Sequence, residues 1–178
     1  TTQAGHLART NREGALDSRM AFWAALGFLT IFPTPRRAGS EELARSLVYF
    51  PVVGLLIGLL LWGVDFLLRM AFPLPLASAL LIAALAVITG ALHLDGFMDT
   101  CDGLGGRDPE RRLAIMKDSR VGAFGVIGVL VLLLVKYGAL VSLATPLRVA
   151  AIVLMPVMGR WAMVFGVTVY PYARAEGL

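Results

Sequence analysis

Apolar residues in this chain come in long runs, without the alternation of a strand. No charge interrupts Leu47 to Val64, and none interrupts Met70 to Leu92. A third run, 121–144, is broken only by Lys136, and a fourth, 149–170, only by Arg160. With their flanks these runs predict spans at 47–70, 75–93, 121–144 and 149–170. At about 1.5 Å rise per helical residue, each is long enough to cross the hydrocarbon core of a bilayer. A shorter apolar stretch, "MAFWAALGFLTIF" at 20–32, is too short to span. Its aromatics, Phe22, Trp23, Phe28 and Phe32, predict an interfacial helix stopped by "PTP" at 33–35. Residues 1–19 are polar, have no apolar period, and read as a disordered tail or upstream extension. The pattern predicts an all-α fold: a multi-pass transmembrane helical bundle over 20–178 with a short N-terminal interfacial helix.

Composition agrees. Of the 178 residues, 58% are hydrophobic and only 16% charged, against about a quarter charged in soluble domains. The net charge of +4 would be weak grounds for a nucleic-acid partner, because the basic residues gather at the ends of apolar runs, as they do beside membrane helices. Arg36-Arg37 follows an apolar stretch instead of preceding it, which counts against a twin-arginine signal. Cys101 is the single cysteine, so no intrachain disulfide forms. Arg36, Arg37 and Arg45 precede the first span, and Arg107, Arg111, Arg112, Lys117 and Arg120 lie between the second and third. The other two connections offer only Arg69 and Arg148. This asymmetry predicts an inner-membrane protein whose N-terminal stretch, 93–120 loop and C-terminal end face the cytoplasm.

The candidate chemistry lies in "HLDGFMDTCDGLGG" (93–106), directly after the second apolar run. Asp95, Asp99 and Asp102 are spaced i, i+4 and i+7, so on a helix they share one face. Carboxylates that close repel unless a cation or retained protons intervene, and hard oxygen ligands favour Mg²⁺ or Ca²⁺. Their alternative role is to offset the loop's arginines in solvent. Gly96, Gly103, Gly105 and Gly106 would let backbone approach a ligand closely. His93 is able to ligate metal or act as a base, though a hydrogen bond at the interface is its plainer role. Cys101 reads as a small buried filler.

The next segment, "RDPERRLAIMKDSRVGAFG" (107–125), starts a helix with Asp108 as cap and Pro109 at its first position. Lys117 and Arg120 are suited to phosphate oxygens. Positive-inside anchoring accounts for some of these bases, but not for Asp118, Gly122 or Gly125. Arg160, about three turns from the cytoplasmic end, either reaches a phosphate site or snorkels. Lys136 lies deeper and receives no catalytic role.

"GALHLDGFMDTCDGLGG" followed by "RRLAIMKDSRVGAFGV" resembles the paired signature of the cobalamin synthase family, the adenosylcobinamide-GDP ribazoletransferases. The similarity extends to "LGFLTIFPTP", "YFPVVGLLIGLLL", "GRWAMV" and "YPYARAEGL", and so from Ala21 to Leu178. It implies a membrane enzyme that joins adenosylcobinamide-GDP to α-ribazole, or its 5′-phosphate, releasing GMP with Mg²⁺ as cofactor. By that likeness Asp95, Asp99 and Asp102 would hold Mg²⁺. Lys117 and Arg120, with Arg160 and Arg174, would grip phosphates, with Gly103 and Gly106 close by. Asp118, His93 or one of the aspartates would serve as base. Family members continue into further membrane helices and a second glycine-rich polar motif, so a chain stopping at Leu178 is expected to be truncated and inactive as it stands. Two other membrane-protein classes fit the motif less well. A CDP-alcohol-type phosphatidyltransferase would carry AR two residues after its DG, where this chain has "DGFMDT". A transporter would place carboxylates near the bilayer midplane.

Overall fold

The computed structural model describes residues 17–35, 39–171 and 173. Among them every regular element is helical. Helix α1 covers 17–29. A short α2 (Ser40–Ser46) leads through a 3-10 turn at Leu47–Tyr49 into α3 (Phe50–Ala71), and α4 (Leu74–Ile88) returns alongside. After α5 (Leu92–Gly103) and α6 (Pro109–Ile115), the long helices α7 (Ala123–Ser142) and α8 (Thr145–Val169) complete the chain.

Three stretches are long and apolar enough to cross a membrane: Ser40–Ala71, α7 and α8. The predicted second span is shorter than 75–93. Helix α4 stops at Ile88 after 15 residues, about 22 Å at 1.5 Å per residue and short of a bilayer core. The chain then breaks at Gly90 (φ 57°) and Ala91 (φ 56°), and α5 leaves at 91° to α4. A left-handed alanine costs about 1 kcal/mol. The break contains no proline and is flanked by apolar residues, so hydrophobic pattern alone carried the predicted helix through it.

The tail at 1–16 lies outside the described residues, but 17–19, assigned to that tail, already form the first turn of α1. This helix is also more than a surface anchor. Ala25 and Leu29 are fully buried in the core with Phe50, Val53, Ile57, Leu61, Leu81 and Ile152. Phe28 stacks on Phe50, and the Ile31 amide donates to the Ile88 carbonyl (2.9 Å), tying the end of α1 to the end of α4.

The most extensive helix pairing joins α3 to α8. Gly54 and Gly58, four residues apart, let the α3 backbone lie directly on α8. A Cβ at Gly54 would come within 2.7 Å of the Pro156 carbonyl oxygen, and one at Gly58 would overlap the Val153 carbonyl. Close backbone approach is how helices associate where lipid supplies no hydrophobic contrast. At the end of the bundle away from α5, Arg148 and Asp65 are 1% and 2% exposed. The Arg148 guanidinium donates to both Asp65 carboxylate oxygens, to the Ser78 hydroxyl (3.0 Å) and to the Leu140 carbonyl. One side chain thereby joins α8 to α3, α4 and α7. Arg148, predicted as a base of the loop before the fourth span, is instead an interior cation with its charge compensated.

Removing one partner of a buried pair leaves the other charge unpaired, at a cost of about 3–5 kcal/mol. Arg148→Met is therefore expected to lower thermal stability sharply in detergent, and the double change Asp65→Leu with Arg148→Met to recover most of it. Thermal unfolding followed by size-exclusion chromatography checks both.

Candidate active site

Helix α5 carries the acidic triplet, and α7 decides how it is held. The spacing Gly122, Gly125, Gly128 leaves a bare strip on the first turns of α7. Against it lie the Asp102 carboxylate, the Met98 carbonyl and the Cys101 thiol, each where a Cβ on one of these glycines would have to go. Asp102 uses this proximity. Its carboxylate accepts from the amides of Gly122 and Gly125, both at 2.8 Å. These are N-terminal amides of α7 with no partner inside the helix, and the positive end of the helix dipole favours a negative group there. Asp102 is thus the side-chain cap of α7, supplied by α5. Gly122 admits the Asp102 carboxylate, Gly125 that carboxylate and the Met98 carbonyl, and Cys101, half-buried, packs as a small side chain against Gly128.

Asp95 and Asp99 follow a different course. Asp95 is exposed and Asp99 half-buried, and neither side chain makes a hydrogen bond or ion pair with another described residue. With Asp102 turned to α7, no three His, Cys, Asp or Glu side chains among the described residues are grouped as a metal site. What remains is a pair of unengaged carboxylates one helical turn apart.

The loop beyond α5 is built by α6. Asp108 caps it, accepting from the Arg111 amide at 2.8 Å, with Pro109 in the first turn, as the sequence predicts. Gly103 and Gly106 do not frame an open ligand space. A Cβ at Gly103 would strike the Met116 side chain, and one at Gly106 the backbone and side chain of Arg112, whose Nε donates to the Gly106 carbonyl (3.0 Å). These two glycines let α6 fold back on the end of α5. Lys117, Asp118 and Arg120 are exposed. Arg120 clasps Asp118 through Nε and Nη2, the latter at 2.8 Å, and its amide donates to the same carboxylate. The Arg120 side chain holds the Asp118 carboxyl below its ordinary value.

His93 and Arg160 do not join the aspartates. They line a cleft of about 170 Å³ between α4, α5, α7 and α8, together with Lys136 and Thr89. The His93 Nε2 lies 3.2 Å from the Met163 sulfur. Arg160, 5% exposed, does not snorkel. Arg174 falls outside the described residues. Sequence reasoning missed Lys136 as a member of this cleft and Arg148 as the partner of Asp65. The second had a signal: α3 carries a single acid and α8 a base in its first turn, both near the same end of the bundle.

Comparison with known proteins identifies the family. The family model described as cobalamin-5-phosphate synthase matches residues 21–178. An adenosylcobinamide-GDP ribazoletransferase of Geotalea daltonii is 49% identical over 162 residues, covering 88% of this chain and 64% of the relative. One of Desulfitobacterium hafniense is 44% identical over 168 residues, covering 91% and 66%. One of Pseudomonas fluorescens is 44% identical, covering 89% and 67%. The chain thus spans about two thirds, or slightly less, of the length of these relatives. No solved structure matches it. With nearly every residue from Ala21 onward matched to one family model, the chain belongs to the cobalamin-5-phosphate synthase family.

Proposed function

We propose that this chain forms the catalytic membrane portion of a transferase that joins adenosylcobinamide-GDP to α-ribazole or its 5′-phosphate and releases GMP. The observation that carries the reading is the Asp102 clamp. It fixes α5 across the end of the bundle, where Asp95 and Asp99 stand unengaged beside a loop rich in arginine and lysine.

In this reaction a ribose hydroxyl of the acceptor attacks the phosphorus attached to cobinamide. A new P–O bond forms, the pyrophosphate bridge breaks, and GMP departs with its oxygen. Negative charge builds on the oxygens around phosphorus, and positive groups held in place lower the barrier. Two free carboxylates suit Mg²⁺, which takes one or two carboxylates and completes its shell with water and phosphate oxygens. Asp95 and Asp99 would hold it, and Asp102 acts through α7 as a positioning residue. When bound, the ion neutralises charge on the pyrophosphate. Lys117 and Arg120, exposed on the same loop, supply phosphate contacts. Asp118 is a poor base while Arg120 engages it, so the acceptor's proton would pass to a carboxylate oxygen of Asp95 or Asp99 that is not on the metal.

The orientation follows from charge. Both bases at the far end are drawn to Asp65: Arg148 through its hydrogen bonds, and Arg69 at 3.9 Å. The uncompensated bases Arg107, Arg111 and Lys117 are at the α5 end, which by the positive-inside rule faces the cytoplasm across the inner membrane.

The test is GMP release and corrinoid product formation in liposomes, using a form extended to the length of the relatives. Asp95→Ala and Asp99→Ala are each expected to lower kcat by about a hundredfold or more with the thermal midpoint unchanged. Undiminished product from either variant would remove the proposed site. Asp102→Ala should lower both activity and stability, the latter by about 1–2 kcal/mol for a lost helix cap. Asp102→Asn should retain more of both, since its amide oxygen still accepts from one of the two amides. Removing divalent cations with a chelator should abolish turnover and added Mg²⁺ restore it; full activity in the chelator would eliminate the metal assignment.

A further inference from the structure

The cleft holding Arg160 carries a charge that no described residue balances. Arg160 is only 5% exposed, and its Nε and Nη2 have no hydrogen-bond partner among the described residues; neither has the Nδ1 of His93. Lys136 lines the same cleft, and no carboxylate does. The nearest buried acid, Asp65, is committed to Arg148. A desolvated guanidinium beside a second cation is unfavourable unless an anion joins them. A thioether is a weak acceptor, so the Met163 contact does not fix the His93 ring proton on Nε2.

The cleft also has an apolar extension. It shares Ile82, Leu85, Lys136 and Met155 with a chamber of about 330 Å³ that continues between α4, α7 and α8 toward Leu140 and Leu143. Apart from Lys136 the residues lining that chamber are all apolar. A small inorganic anion would satisfy the bases but leave the chamber empty, whereas an apolar molecule would do the opposite. Lys136 stands at the junction, where a ligand would change from charged to apolar. Helix depth agrees: Lys136 lies thirteen residues into α7, about 20 Å from the α5 end at 1.5 Å per residue. This region is separate from the Asp95–Asp99 pair, neither of which lines it.

We infer that the His93–Lys136–Arg160 cleft and the adjoining chamber form an intramembrane site for an amphipathic phosphate. The phosphate sits among the three bases, and the apolar body extends along Leu85 and Met155. Two sources share this chemistry: an anionic phospholipid of the bilayer, and an acceptor such as α-ribazole 5′-phosphate, with its aromatic ring. The site does not require the transferase reading, and its test measures binding and not turnover, so either can fail without the other.

Native mass spectrometry of this chain in detergent, titrated separately with phosphatidylglycerol, α-ribazole 5′-phosphate, diacylglycerol and inorganic phosphate, tests the inference. At least one of the first two should bind, and diacylglycerol should not compete. Binding of phosphatidylglycerol alone identifies a lipid site, and binding of α-ribazole 5′-phosphate alone an acceptor site. Loss of a charge-assisted contact in Arg160→Gln or Lys136→Met should weaken binding roughly tenfold or more. Lys136→Arg should retain it, as should Arg45→Gln, which removes a surface charge elsewhere. Ala139→Phe, which fills the chamber, should weaken the amphiphile while sparing inorganic phosphate. Thermal midpoints identify any variant that misfolds, and the two single-base variants report independently. Failure of both amphiphiles to bind, equal binding of diacylglycerol, or equal losses in Arg45→Gln would overturn the proposal.

Discussion

The bundle depends on one buried cation. Arg148 enters α8 in its first turn and reaches Asp65 on α3, Ser78 on α4 and the Leu140 carbonyl on α7, so four helices share one guanidinium. In an apolar interior such a group is tolerated only when its donors are used, and here they are. Since lipid is as apolar as the helix surfaces, hydrophobic burial does little to choose one packing over another. A directional pair does choose. It sets the register of α8 on α3, in which Gly54 and Gly58 meet Pro156 and Val153, and stands at the end of the bundle opposite the candidate site.

At that opposite end the same device recurs with a carboxylate. Asp102 satisfies amides that α7 cannot satisfy itself, which binds α5 crosswise to the bundle. The break at Gly90 and Ala91 permits the turn, and the glycines of α7 permit the contact. Of three acids with matching spacing, Asp102 is spent on architecture, and Asp95 and Asp99 bond to no other described side chain. The membrane-edge loop and the intramembrane cleft are therefore distinct regions: the first presents free acids and exposed bases, and the second holds buried bases without acids.

Much of the fold was legible in the chain. Long uncharged runs specify helices because only internally hydrogen-bonded backbone is stable in lipid, and α3, α7 and α8 lie where the runs predict them. The cap at Asp108 and the filler role of Cys101 were legible too, because both depend on local chemistry or on size. The shortening of α4 was not. Thr89, Gly90 and Ala91 are small residues that a helix accepts, and the break is sustained by contacts remote in sequence, including the Ile31 amide on the Ile88 carbonyl.

The sequence by itself determined the class, the number of apolar segments, the family and the segment that carries the acids, because these follow from composition, periodicity and collinear motifs. Tertiary structure alone decided what each charge does. Asp95, Asp99 and Asp102 are equivalent by spacing, yet only Asp102 meets the amides of Gly122 and Gly125, some twenty residues away. Arg148 and Arg160 stand on the same apolar helix, α8, yet among the described residues one is paired and the other is not. A charge in a membrane is defined by its partner, and the partner is a property of packing between helices, which no local pattern encodes.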